Sequence, residues 1–285
     1  MFRSPEARDR VVAWAERFER NLSVSSKRFE VATSFGETRG LIAGPPDAPP
    51  LVVLHGALAS SAHVLPQLGP LVESRRIIVV DVIGQSPFSA DRRLDMDDDS
   101  YARWFWEVVG GLNLDAFDLL AVSWGGFVGV KAALANPDRI RKLVLVVPAG
   151  IVNGPAWKGF TKMGWPMMKF IKSPSEKNLQ RVLEPLFTTR DAEWEQFFGQ
   201  AIRDYRLDMR IPPLWKPSQT SSFTKPVLVF GADQDLSFPG NKLTQRAREL
   251  FPQAETVLLE NCKHCPPFTD EFRAMLAGKI EAFLA

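Results

Sequence analysis

The chain has 285 residues, enough for one α/β domain with an insert and short for two independent domains. With 45% apolar and 24% charged residues its composition is that of a folded protein with a sizeable core, which excludes a disordered chain. Thirty-five Lys and Arg against 33 Asp and Glu leave a formal charge of +2, which makes no electrostatic case for a nucleic-acid or anionic-membrane partner.

Residues 1–27 read as an N-terminal helical segment whose opening, MFRSPEARDRVVAWAERFER, is too charged for a secretory signal. No run approaches the ~20 apolar residues of a membrane span. Only two cysteines occur, Cys262 and Cys265, so no disulfide framework is expected; reduced thiols in a soluble, cytoplasmic protein are. Arg28 to Ile42 alternates as an antiparallel hairpin, with Phe35-Gly36-Glu37-Thr38 at or near its turn. Short apolar runs follow at Leu51 to Leu54, Ile77 to Val82, Leu119 to Val122, Leu143 to Val147, Val227 to Phe230 and Thr256 to Leu259. Runs of this length, rich in Val and Ile, suit strands buried on both faces of a parallel sheet. Between them lie helical patterns. Tyr101, Trp104, Phe105, Val108, Val109 and Leu112 fall on one helix face, behind an acidic start at Asp97 to Ser100. A second helix follows Ser123 and stops near Asn136-Pro137, and a last one runs through Phe272, Leu276, Ile280 and Phe283. Alternating strand and helix predicts a doubly wound α/β fold. Residues 150–222 break the alternation with aromatics, methionines and seven prolines. They are expected to form short helices cut by those prolines, a lid inserted between the core parts 28–149 and 223–285.

The chemistry starts at Ala121-Val-Ser-Trp-Gly-Gly126. A serine between an apolar strand and a helix sits on a sharp turn that exposes its hydroxyl and demands small neighbours. Gly125 and Gly126 supply them after Ser123, while Ala121 stands where a glycine is usual before it. Cleaving an acyl bond also needs two backbone N–H groups aimed at the developing oxyanion. One falls to Trp124, the residue after the nucleophile, and the other to Ala57 in Leu54-His-Gly-Ala-Leu58. His55 reads as a brace for that loop, and His63 as a pocket-wall or surface residue. That leaves His264, in a loop after the last strand, as the base that takes the serine proton and returns it to the leaving group. The orienting carboxylate is expected after the strand at Val227 to Phe230, where Asp233 and Asp235 both stand. A proline four residues on, Pro239, favours Asp235; Asp233 remains the alternative. The Cys-x-x-Cys around His264 lacks further metal ligands, so no metal is expected.

These motifs, with the Asp81-Val-Ile-Gly-Gln-Ser86 turn, make the chain from about residue 28 onward resemble the α/β-hydrolase family, most of all the bacterial serine carboxylesterases. The resemblance implies a mostly parallel eight-stranded sheet flanked by helices, a helical lid over the site and no cofactor. Gln85, where a second glycine is common, is a departure expected to reshape the pocket rim. Leu58, His63, Trp157, Met163, Trp165 and Met167 are the candidates for an apolar substrate pocket. The reading is a serine hydrolase that splits a small apolar or aromatic carboxylic ester through an acyl-enzyme. It acts as a monomer or homodimer, with no membrane or nucleic-acid partner. Carbon–carbon hydrolysis, lactone opening, perhydrolysis or acyl transfer would use the same triad, and a triad-bearing small-molecule receptor is the reading from another class.

Overall fold

Branched apolar residues between turn residues set the strands, as seen in a computed structural model that describes residues 1–285. The strands are β1 (Ser26–Thr33), β2 (Gly36–Ala43), β3 (Pro50–Leu54), β4 (Arg76–Val80), β5 (Phe117–Val122), β6 (Ile140–Val146), β7 (Val227–Ala232) and β8 (Glu255–Leu259). They form one eight-stranded sheet in the order β1-β2-β4-β3-β5-β6-β7-β8. β1 and β2 pair antiparallel, β2 joins β4 antiparallel, and every pairing from β4 onward is parallel. The hairpin turn falls at Ser34-Phe35, slightly before the expected centre, because Gly36 already pairs with Thr33.

The helices are α1 (Pro5–Arg20), α2 (Ser61–Val64), α3 (Ser100–Gly111), α4 (Trp124–Ala135), α5 (Ala156–Gly159), α6 (Trp165–Lys172), α7 (Glu176–Leu183), α8 (Ala192–Asp204), α9 (Pro217–Thr220), α10 (Gly240–Leu250) and α11 (Asp270–Leu284). The central strands show why an unbroken apolar run is needed. Val52, Leu54, Ile78 and Val80 point into the core on the α3 and α4 side. Leu51, Val53, Ile77 and Val79 point into the opposite core, with Val11 of α1 and Ile280 of α11. Period-two alternation therefore serves two cores, and along Leu51–Leu54 and Ile77–Val80 both faces are apolar.

The insert departs from expectation at one proline. Pro166 does not cut the chain: α5, a wide π-helical turn at Phe160–Gly164 and α6 follow one another without a break. Proline lacks an N–H and crowds the preceding turn, and the π turn next to it absorbs both. α1 and α8 pack together, and Arg10 of α1 grips Asp204 of α8 through two hydrogen bonds of 3.0 and 2.6 Å. The carboxyl ends of β3, β5, β7 and β8 all open onto one edge, where the loops bearing His55, Ser123, Asp235 and His264 emerge.

Candidate active site

Ser123 turns the chain from β5 into α4 in one residue, at φ 51° and ψ −116°. A side chain at positive φ costs on the order of 1–3 kcal/mol and persists only where its surroundings hold it. Here Ser123 N donates to Val146 O at 2.9 Å, and Ser123 O accepts from Gly126 N at 2.8 Å and Ala149 N at 2.9 Å. The space around the turn explains its small residues. A Cβ on Gly125 would lie 2.5 Å from Leu54 O, and one on Gly126 2.6 Å from Pro148 Cβ. Ala121 is tolerated because Gly129 faces it from α4, where a Cβ would come within 2.8 Å of the Ala121 methyl. The missing atom has moved from the strand to the helix.

The structure brings three distant side chains together. Ser123 Oγ lies 2.9 Å from His264 Nε2, and His264 Nδ1 lies 2.7 Å from Asp235 Oδ2. With Nδ1–H donating to the carboxylate, Nε2 is left as the acceptor for the serine proton. The other oxygen of buried Asp235 accepts from Ser237 N at 2.7 Å and Phe238 N at 3.0 Å, which locks the carboxylate. Burial pushes the His264 pKa down, but the charge of Asp235 and its hydrogen bond more than offset this, so the ring titrates above its ordinary value. Asp233 does something else. Its two oxygens accept from Asn261 N at 3.0 Å and Cys262 N at 2.9 Å, shaping the loop that carries His264.

The loop after β3 abuts Ser123: a Cβ on Gly56 would be 3.3 Å from Ser123 Cβ. His55 is fully buried, donates from Nδ1 to Gly56 O at 2.7 Å and accepts at Nε2 from Val82 N at 2.9 Å. A trans peptide points its N–H opposite to its C=O, so holding Gly56 O turns the Ala57 N–H the other way. That N–H meets no backbone acceptor. Trp124 N is the first N–H of α4 and has no carbonyl one turn behind it.

The expected pocket residues separate. Met163 reaches Ser237 beside Asp235, its sulfur 3.8 Å from Ser237 Oγ. Met167 packs half-buried against Phe170 of the insert, and Leu58 is half-buried at φ 60°. Trp157 and Trp165 stand 66% and 60% exposed. His63 does not line an open wall. It is enclosed by the rings of Phe18, Trp194 and Phe197, with centroids 4.3, 5.0 and 4.2 Å away, and its Nδ1 accepts from Ser60 N. Gln85 is likewise buried, under Tyr205, whose hydroxyl donates to its carbonyl at 3.3 Å, and not on the rim. Cys262 and Cys265 are free, and burial raises their thiols to about 11 and about 12, so both stay protonated. Lys177, Arg181, Glu184, Arg190 and Lys263 line a cleft of about 600 Å³, which includes none of the three triad residues.

Two supports went unassigned in the sequence. Asp81, at the end of β4, is buried and accepts from Ser61 N, Ser61 Oγ and Ser86 Oγ at 2.8 to 3.1 Å, bracketing the loop beside His55. A carboxylate directly after an apolar strand was its only sequence signal. Thr188 of the insert accepts from Lys263 N at 2.9 Å and donates to Cys265 O at 2.8 Å, clamping both sides of His264. No local pattern announces a contact 75 residues apart.

These buried groups set an acid limit to stability. Burial holds His55 at about 4 and His63 at about 3, well below an ordinary histidine. Between those values and 6.5 the unfolded chain binds more protons than the folded one, so stability falls as pH falls through this window. Asp81 acts in the opposite sense, because burial raises it to about 6 and its folded form gains protons first. His264, raised overall by the charge and hydrogen bond of Asp235, also gains its proton first in the folded form. The two low histidines outweigh both groups, so the melting temperature is expected to drop by several degrees from about pH 6.5 to about pH 4. A flat melting profile across that range would contradict the burial of both neutral rings.

The strand order, the strained serine turn and the Ser–His–Asp arrangement at the carboxyl edge define the class: the chain has the α/β-hydrolase fold. The family model described as the alpha/beta hydrolase fold matches residues 49–169. Among curated proteins the chain is similar to an uncharacterized carboxylesterase, nap, of Bacillus subtilis, 26% identical over 91% of this chain and 89% of that protein. It is also similar to carboxylesterase YbfK of Bacillus subtilis, 34% identical over 44% of this chain and 43% of that one. Among solved structures, naproxen esterase from Bacillus subtilis superposes with a TM-score of 0.83 at 20% identity, over 97% of this chain and 98% of that one.

Proposed function

We propose that the chain is a serine carboxylesterase. The observation that carries this is the relay itself, a hydroxyl 2.9 Å from an imidazole that is 2.7 Å from a buried carboxylate. Ser123 Oγ attacks the ester carbonyl while His264 Nε2 takes its proton. The Ala57 and Trp124 N–H groups hold the oxyanion, which matters most because it meets the charge that develops only on the way to the transition state. His264 gives the proton to the departing alcohol, leaving an acyl group on Ser123. It then takes a proton from water, whose attack releases the acid and restores the serine. The insert, residues 150–222, serves as the lid. Met163 and Leu58 offer it an apolar wall for a small acyl or aromatic group. The names of the similar carboxylesterases support the same reading.

A fluorophosphonate probe is expected to label the protein once, at Ser123, as read by peptide mapping. The labelled protein should have no activity toward p-nitrophenyl acetate, and a series of longer p-nitrophenyl esters should locate the acyl length at which turnover falls. Labelling at another residue, with p-nitrophenyl acetate turnover retained, would overturn the proposal.

A further inference from the structure

The insert presents a face that ester cleavage does not use. Of nine large apolar side chains that stand exposed, four crowd into residues 156–172: Trp157, Phe160, Trp165 and Met168. Scattered single apolar residues on a surface are ordinary, but a cluster of aromatics is a contact site in waiting. The same seventeen residues hold Lys158, Lys162, Lys169 and Lys172, and no Asp or Glu occurs from 154 through 175. None of the four lysines takes part in an ion pair. Lys158 lies 5.6 Å over the ring of exposed Trp157, so cation and aromatic share one face.

The inner side of this stretch is already satisfied. Phe170 is buried against Val182 and Ile202, with Met167 and Ile171 beside it. The outer side is therefore spare, and its make-up narrows what could cover it. A second protein core would accept the aromatics but leave four unpaired ammonium groups to desolvate. A lipid surface with acidic headgroups takes both: rings at the headgroup–acyl boundary and lysines against the anions above it. Formal charge averaged over the chain, +2, hid this concentration of +4 in one short segment. The contact would lie on the surface, since no helix is long and apolar enough to cross a membrane. The stretch is rooted at the catalytic edge, where Gly154 N donates to Ser237 O at 2.7 Å, two residues from Asp235.

We propose that residues 156–172 dock on the surface of an anionic phospholipid bilayer, with Trp157, Phe160, Trp165 and Met168 inserted and the four lysines facing the headgroups. The inference stands apart from the esterase reading, because binding is measured without turnover. The full chain is sedimented with vesicles of phosphatidylcholine alone, or with about 30 mol% phosphatidylglycerol, at low salt and at about 0.5 M salt. Binding is expected only to the anionic vesicles and is expected to weaken about tenfold or more in high salt. A triple variant Lys158→Glu, Lys162→Glu, Lys169→Glu is expected to lose binding by a further tenfold or so, while hydrolysis of p-nitrophenyl acetate stays at the parent level. Trp165→Ser should weaken binding without changing its salt dependence. Equal binding to both vesicle types, no binding to either, or a triple variant that binds like the parent would each overturn the proposal. So would a dimer in size-exclusion chromatography that the same substitutions dissolve, with no vesicle binding, since a second copy would then be the occupant.

Discussion

Replacing Ser123 by alanine is expected to lower kcat on p-nitrophenyl acetate by at least about 10³-fold while leaving the fold in place. Alanine removes the attacking oxygen and nothing else, so His264, Asp235 and the two N–H donors stay where they are. A residual rate above background is therefore expected, because oxyanion stabilisation and binding persist without the nucleophile. The thermal midpoint should move little. The positive φ of 51° strains alanine much as it strains serine, and the backbone bonds from Val146, Gly126 and Ala149 do not involve the hydroxyl. That separation of rate from stability is the informative outcome, for a loss caused by misfolding would show in the melting curve. Parent-level turnover in this variant would remove Ser123 from the mechanism.

The legible parts of this fold were those with local causes. The parallel core was visible because strands buried on both faces must be apolar at every position, as Leu51 to Leu54 and Ile77 to Val80 are. The position of Ser123 was legible because it follows such a strand. His264 follows β8, which proved to be an edge strand with only Leu259 buried, so there it was the shortage of histidines that singled out the residue. What stayed hidden depended on contacts between distant segments. His63 looked like a pocket histidine until α1 and α8 closed aromatic rings around it. Ala121 looked like a defect in the motif because Gly129, its compensation, lies eight residues away on the next helix. Pro166 looked like a break because a π turn leaves no clear mark in the sequence. Asp233 and Asp235 remained hard to rank, since only geometry shows which backbone groups each one faces.

That geometry makes their asparagine variants diverge. In Asp235→Asn the side chain must choose which atom becomes the amide nitrogen. Two backbone donors, Ser237 N and Phe238 N, point at Oδ1, so the amide oxygen is held there. The NH2 group is then forced toward His264 Nδ1, in place of the Oδ2 that accepted its proton at 2.7 Å. Nδ1 must become the acceptor, and the ring proton shifts to Nε2, facing Ser123. The base now presents a proton where it should take one, so kcat is expected to fall about 10⁴-fold with little change in KM. Asp233→Asn sets an NH2 group against one of the N–H groups of Asn261 and Cys262, which loosens the loop without touching the imidazole. Its cost should appear chiefly as about 1–3 kcal/mol of stability, with activity reduced by less than about tenfold. If Asp233→Asn proved the more damaging to kcat, the orienting role would belong to that residue, and the 2.7 Å contact at Asp235 would not be the one that sets the tautomer.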